Sequence, residues 1–390
     1  MRRSEHAAAF AAAVVLVISM GFSRFAFTGL YPLMVTDHQI TVSGGSYAAS
    51  ANYAGYLIGA LLVSLLSGIS ARKMTEFAVI CSVITLGLLA FSLPEWLIIT
   101  IRGFSGAFSA IAMVSASHWL IHDRKHHGGA PALYAGVGVG ILASAELIAF
   151  SHSFNLTSQL IWLVLALATV ALAVLSLVMI SRVDRVAPSA VSTHTASPSR
   201  DRTETLGPTR LVLIYGLAGF GYIITATYLP LIVKSAIASV DPVHVWAAFG
   251  LAAAPSCFAW HAIRTRFGTT PSLMANLLLQ AIGVVLPILH TPSVYIVSAF
   301  LVGGTFMGTV TIAMPAGRQL ASKVRFNMLA VMTASFGVGQ IIGPLVASFL
   351  YGRTHSFDLS LVIAGGSLLV AAAMCLSPRR RSSGALAPAE

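Results

Sequence analysis

Twelve apolar runs, each close to twenty residues or longer, follow one another along this 390-residue chain, and most of its charge is confined to the stretches between them. A helix needs about twenty apolar residues to cross the hydrocarbon core of a bilayer, where every backbone N–H and C=O must be bonded internally. The runs therefore read as an all-α membrane protein with twelve transmembrane helices, near 8–35, 46–69, 75–94, 96–120, 131–152, 157–181, 209–233, 243–263, 271–290, 293–315, 326–350 and 358–377. With 57% hydrophobic and 9% charged residues, a soluble globule of this length would lack the polar surface to stay dissolved. The first run extends from about Ala7 to Val35, well beyond the ~7–15 apolar residues of a cleaved signal peptide, so it is expected to remain as the first crossing.

A net charge of +11 would suggest nucleic acid if the basic residues shared one solvated face. Here they sit in short loops, where the positive-inside bias applies. With the N-terminus in the cytoplasm, nineteen of the 23 lysines and arginines fall on that side, and only Lys234 and Arg353 fall outside. Arg24 and Arg102 lie within helices. The expectation is a multi-pass protein of a bacterial inner membrane, monomeric in lipid, with both termini cytoplasmic and no nucleic-acid partner. Val183 to Pro208 (VDRVAPSAVSTHTASPSRDRTETLGP) is rich in Ser, Thr and Pro without an apolar period, so it reads as a flexible linker. It separates a first six-helix unit, 1–182, from a second, 209–377, followed by a cytoplasmic tail, 378–390.

The two units repeat. GFSRFAFTGLYP (21–32) matches GFGYIITATYLP (219–230), and GVGVGI (136–141) matches GVGQIIGP (337–344). More weakly, Gly103 and Gly106 match Gly303, Gly304 and Gly308. Offsets near 200 at the first, fourth and fifth helices of each unit argue for a parallel duplication, which in transporters places the substrate between the repeats near mid-membrane. On these residues the chain resembles the major facilitator superfamily: Arg102 and Gly106 in ITIRGFSGAFSA look like its fourth-helix signature, and the two glycine-rich segments like its fifth- and eleventh-helix motif. GISARKM (68–74) looks like its basic turn between helices two and three, without the acidic residue usual there. More narrowly, GFSRFAFTGLYPLM and GLAGFGYIITATYLP are similar to the YbfB/YjiJ-type branch. The resemblance implies two pseudo-symmetric six-helix bundles and secondary transport, and names no cargo.

Charges within lipid-spanning helices cost about 2.5–3.5 kcal/mol each on insertion scales, so they face the protein interior and are candidates for function. Three stand out: Arg24, Arg102 and Glu146. At 1.5 Å per residue, Arg24 lies about 24 Å and Glu146 about 22 Å above the cytoplasmic starts of their helices, and Arg102 about 9 Å below the outer end of its own. The common depth predicts a network with one spare positive charge, suited to a carboxylate or phosphate. The bland alternative is a structural cluster that braces the first bundle. Glu146, as the deep acid, is the candidate proton carrier, or else a plain partner for one arginine. In the second unit Tyr222 stands where the repeat places Arg24. With Thr225, Thr227 and Tyr228 it offers neutral hydrogen-bond groups for substrate or for helix contacts. Pro32 and Pro230 can kink gating helices, and Gly106, Gly138, Gly339 and Pro344 suit close packing and bending.

No cofactor and no metal are expected. The three histidines of HDRKHH (122–127) sit among cations in a loop, and Cys81, Cys257 and Cys375 lie in separate apolar runs. Gln280, Gln340, His118 and His261 read as packing residues. Walker motifs are missing from the sequence, which excludes ATP-driven transport by this chain, and it shows no nucleophile–base set for an enzyme. The leading expectation is a proton-coupled importer of a small organic anion. A proton-driven exporter of amphipathic or toxic compounds is the nearest alternative, and a non-transporting polytopic sensor or enzyme the alternative of another class.

Overall fold

The computed structural model describes residues 2–65, 68–185, 206–236 and 241–376. These form helices and connecting turns. The first rod consists of α1 (Arg2–Leu16), a π-helical segment (Val17–Phe25) and α2 (Ala26–Thr36). It is followed by α3 (Val42–Leu65), α4 (Ala71–Leu88), α5 (Glu95–His118), α6 (Ala130–Ser153) and α7 (Ser158–Arg185). The second half comprises α8 (Pro208–Ala236), α9 (Pro242–Phe267), α10 (Thr269–Val285), α11 (Pro292–Leu320), α12 (Met328–Thr354) and α13 (Asp358–Met374). Turn chemistry sets several ends. Ser70, Asp241 and Asn327 cap α4, α9 and α12 through their side chains, satisfying N–H groups that a helix start leaves free. Gly268 takes φ 89° between α9 and α10, a conformation that favours glycine.

Among the described residues nine helices are long and apolar enough to cross a membrane. The twelve runs of the sequence also include α3, α4 and α13. α3 carries Ser43, Ser46, Ser50 and Asn52, α4 opens with Arg72, Lys73 and Glu76, and α13 is 17 residues long. Helix α7 continues to Arg185, past the expected start of the linker. Residues 186–205 of that linker and the tail 378–390 lie outside the described residues.

Packing repeats between the halves. α3 lies on α5 as α9 lies on α11, α4 on α5 as α10 on α11, and α4 on α7 as α10 on α13. α6 packs on the π segment and α1 as α12 packs on α8. The halves meet chiefly through α6 with α9 and α12 with α3, which too are repeat equivalents, and α2 also packs on α8 and α9. The motif glycines permit these approaches: a Cβ at Gly138 would lie 2.2 Å from Ala254 N, at Gly106 1.9 Å from Asn52 O, and at Gly339 2.4 Å from Gly216 O. Backbone atoms cannot yield as a side-chain tip can, so a larger residue must separate the helices. Gly138→Val is therefore expected to cut the yield of monodisperse protein and lower its melting temperature by several degrees, whereas Val139→Ala, at an exposed neighbouring position, is expected to leave both near wild type.

The basic turn has its own acid partners. Arg72 Nε bonds Glu76 Oε1 at 2.7 Å, its NH1 meets Asp184 Oδ2 at 3.2 Å, and Trp119 Nε1 donates to Asp184 Oδ1 at 3.0 Å. The acid that GISARKM lacks is thus supplied by α4 and by the end of α7. All of these contacts lie within the first half.

Candidate functional site

The two buried arginines belong to one structural unit and divide its work. Arg102 is 2% exposed, and both its terminal nitrogens donate to backbone carbonyls of the π segment: NH1 to Ser23 O at 2.7 Å and NH2 to Arg24 O at 2.8 Å. Its guanidinium lies 4.5 Å over the Phe27 ring, and Asn52 Nδ2 holds the Arg102 carbonyl at 2.8 Å. A π turn is wider than an α turn and is rarely stable alone, which is why such segments gather at functional positions. Here a charged fork on one side and the Gly21–Gly140 contact on the other hold it open; a Cβ at Gly21 would lie 2.3 Å from Gly140 Cα. In this arrangement Arg102 braces the backbone that carries Arg24.

Arg24, next to the last residue of the π segment, is 3% exposed, with its guanidinium carbon 3.9 Å from the Tyr56 ring centroid, 5.2 Å from Tyr53 and 5.3 Å from Phe25. Its NH2 donates to Gln340 Oε1 at 3.4 Å, and its Nε has no partner. Among the described residues it forms no ion pair. Because guanidinium can only donate, Gln340 must offer its oxygen there and turn its Nε2 to Tyr222 Oη, the short contact that completes the chain. Arg24 and Tyr222, the repeat equivalents, thus meet through one glutamine. Tyr222 Oη accepts from Gln340, which leaves its own proton for another acceptor. Aromatic rings run past this point from Tyr215 to Phe336, Tyr222, Phe306, Phe249 and Trp246, with successive centroids 4.5, 5.7, 5.7, 5.2 and 4.5 Å apart.

Glu146 is not part of this group, which corrects the expected three-charge network. Residue count puts it near Arg24's depth, but its side chain is 51% exposed and its Oε1 lies 3.4 Å from Nδ1 of His244, itself 58% exposed. The pair bridges α6 and α9, and so the two halves. Tyr228 also lies away from Arg24: its hydroxyl is within hydrogen-bond reach of Ser46 Oγ at 2.7 Å and of Pro344 O at 3.0 Å. Thr225 is buried, with Oγ1 unpartnered. Pro32, Pro230 and Pro344 sit inside helices, and Lys234 Nζ donates to Pro32 O at 3.0 Å and also contacts Thr36 Oγ1. Ser50 donates to Ile341 O at 3.0 Å, Tyr53 meets Thr227 Oγ1 at 3.1 Å, and Trp246 Nε1 donates to Phe25 O at 3.1 Å. These bonds between the halves lie at the level of Arg24 or beyond it, toward the end away from the chain termini.

Residues 16–376 match the family described as the uncharacterised MFS-type transporter YbfB. The chain belongs to that family. It is therefore a multi-pass membrane transporter of the major facilitator superfamily, not an enzyme, and its substrate is a small molecule. None of the curated proteins matches it. Among solved structures, the transporter is similar in fold to a crystal structure of a mutant of the nucleoside transporter NupG. The TM-score is 0.67 at 15% identity, over 94% of this chain and 98% of that one.

Within the transporter, sequence reasoning missed Tyr53 and Tyr56 as neighbours of the charge and Phe306 and Phe336 as neighbours of Tyr222, and it read Gln340 as packing. A signal was present for Gln340: it is the one polar side chain in the glycine motif GVGQIIGP, where its repeat equivalent is Val139. His244 carried no such signal, since it follows an ordinary Asp-Pro helix start.

Proposed function

We propose that the protein is a secondary carrier of twelve spans in two six-helix bundles, set in a bacterial inner membrane with both termini cytoplasmic, that imports a small organic anion by alternating access. The observation that carries this reading is Arg24: a buried cation with aromatic rings and one amide around it and no carboxylate. An arrangement of that kind is costly when empty and suits an anion that arrives and leaves. Arg102 acts by positioning Arg24, while Tyr222, joined to it through Gln340, offers a neutral group and Thr225, one turn further along α8, a buried unpartnered hydroxyl. Tyr228, Pro32, Pro230 and Pro344 serve the contact between the halves. If basic loops face the cytoplasm, the bonded end is the outer one and the state is inward-facing. Rocking of one half on the other about the α6–α9 and α12–α3 seams then exposes Arg24 to each side in turn.

Coupling to protons is assigned to Glu146 with His244. Their attraction needs an ionised carboxylate and a protonated imidazole, so a proton gained by Glu146 loosens the outer seam. The pair is exposed and worth less than about 1 kcal/mol, enough to bias a balanced equilibrium between two states but not to hold one. Lys234, Asp241, Asp37 and Glu95 also carry charge at that end; Asp241 accepts from Val243 N, Asp37 from Ser158 N and Glu95 from Thr41 N, and Lys234 is held by Pro32 and Thr36. Glu146→Gln is expected to reduce uptake driven by a pH gradient at least about fivefold and to leave exchange at equal pH unchanged. Proteoliposomes assayed in both modes make the comparison. Acid outside should drive labelled organic anions inward in the wild type, and extrusion of lipophilic cations against the same gradient, with no anion uptake, would favour the exporter instead.

A further inference from the structure

We infer that the ligand of the Arg24 site is an aromatic monocarboxylate, bound with its carboxylate between Arg24 and Tyr222 and its ring against Phe306 and Phe336. The inference rests on the anion reading above and narrows it by charge, shape and polarity.

The charge follows from the division between the arginines. Both terminal nitrogens of Arg102 are engaged by Ser23 O and Arg24 O and only its Nε is unpartnered, so Arg24 is the cation whose fork is left to meet the ligand. A second carboxylate would be buried without a partner. The donors suit a carboxylate: Arg24 presents N–H groups of a charged fork, and Tyr222 retains its hydroxyl proton because its oxygen accepts from Gln340. A carboxylate oxygen on each replaces the weak 3.4 Å contact with Gln340 by charge-assisted bonds.

Shape and polarity follow from the wall. Tyr222 stacks on Phe306 at an interplanar angle of 22° and on Phe336 at 23°, with centroids 5.7 Å away in both cases. The Phe25 ring meets Phe306 edge-on at 6.1 Å. The faces of Phe336 are taken by Tyr222 and Tyr215 and those of Phe306 by Tyr222 and Phe249, so the wall offers ring edges to a flat ligand ring, and few polar groups. Tyr53 Oη is taken by Thr227, and Ser50 Oγ by Ile341 O. Thr225 Oγ1 remains. A sugar or nucleoside, with several hydroxyls to satisfy after desolvation, would find too few partners here.

Isothermal titration of the purified full-length protein in detergent tests this with three probes of near-equal size: benzoate, cyclohexanecarboxylate and benzamide. Benzoate is expected to bind roughly three- to tenfold more tightly than cyclohexanecarboxylate, the increment of an aromatic pair beyond its area, and benzamide at least tenfold more weakly. Phe306→Leu should erase the preference for benzoate over cyclohexanecarboxylate, and Arg24→Gln should abolish binding of both acids. Equal affinity for the two acids, both lost in Arg24→Gln, would overturn the aromatic assignment and leave the anion reading standing, as would a preference unchanged in Phe306→Leu. Benzamide binding as tightly as benzoate, a comparison made on the wild type alone, would overturn both readings. So would the absence of heat from all three probes at millimolar concentration.

Discussion

Arg24→Gln is expected to abolish transport and to make the protein more stable. Both effects come from one cause. In the ligand-free state Arg24 has rings at 3.9–5.3 Å and a single amide oxygen at 3.4 Å in place of a carboxylate. Cation–π contacts recover about 0.5–2 kcal/mol of the cost of holding a guanidinium away from water, and insertion scales set that cost at about 2.5–3.5 kcal/mol. Glutamine keeps a donor for Gln340 and removes the charge, so stability should rise by on the order of 1 kcal/mol. Transport should fall at least about 30-fold, because losing one partner of a buried charge pair costs the bound state about 2–5 kcal/mol. Thermal unfolding followed by tryptophan fluorescence, with exchange assays on the same preparation, reads both quantities. A residue that served only structure would show the reverse sign in the melting curve.

Arg102→Ala is expected to give that reverse sign. The guanidinium of Arg102 makes two charge-assisted bonds to the π segment, each worth about 1.5–3 kcal/mol net. Its side chain is among the largest fully buried ones in the protein, so truncation also leaves a cavity. Relief of the buried charge offsets part of this, and a loss of about 3 kcal/mol in stability remains. Lysine is no substitute, since an ammonium cannot span two carbonyls with a planar fork. The pair of variants therefore separates the roles: one arginine lowers the melting temperature by being present, the other by being removed.

Much of the architecture could be read from the chain because lipid leaves so few choices. Apolar length and loop charge define where rods begin and end, and the glycines of GVGVGI and GVGQIIGP lie at the tight contacts their spacing suggests. Three helices fall outside a simple length-and-hydropathy reading for physical reasons, α13 because it is 17 residues long. α3 carries Ser46, Ser50, Asn52 and Tyr53 toward other helices, while α4 opens with the charges of the basic turn.

The site was legible only along the membrane normal. Counting residues at 1.5 Å each places Arg24 and Glu146 at one depth, but depth says nothing about the direction in which a side chain leaves its helix. The π segment turns more residues per turn than an α-helix, so the face that Arg24 presents cannot be extrapolated from the 3.6 period of its neighbours. Glu146 leaves α6 toward His244 of α9, and the carboxylate that depth seemed to offer Arg24 is at the seam. Gln340 was visible as a polar residue in an apolar helix, yet its partners lie 118 and 316 residues away in sequence, beyond the reach of any local pattern.

Transport of the proposed kind requires Arg24 to be free for a visiting anion, and a thermal-shift screen tests that requirement even while the cargo is unidentified. Wild type and Arg24→Gln would be screened against small organic anions, sugars, nucleosides and lipophilic cations, since a ligand that binds the native state raises its melting temperature by mass action. A free Arg24 predicts that organic anions alone stabilise the wild type and that none stabilises Arg24→Gln. Stabilisation by cations or neutral solutes, of equal size in both proteins, would contradict it.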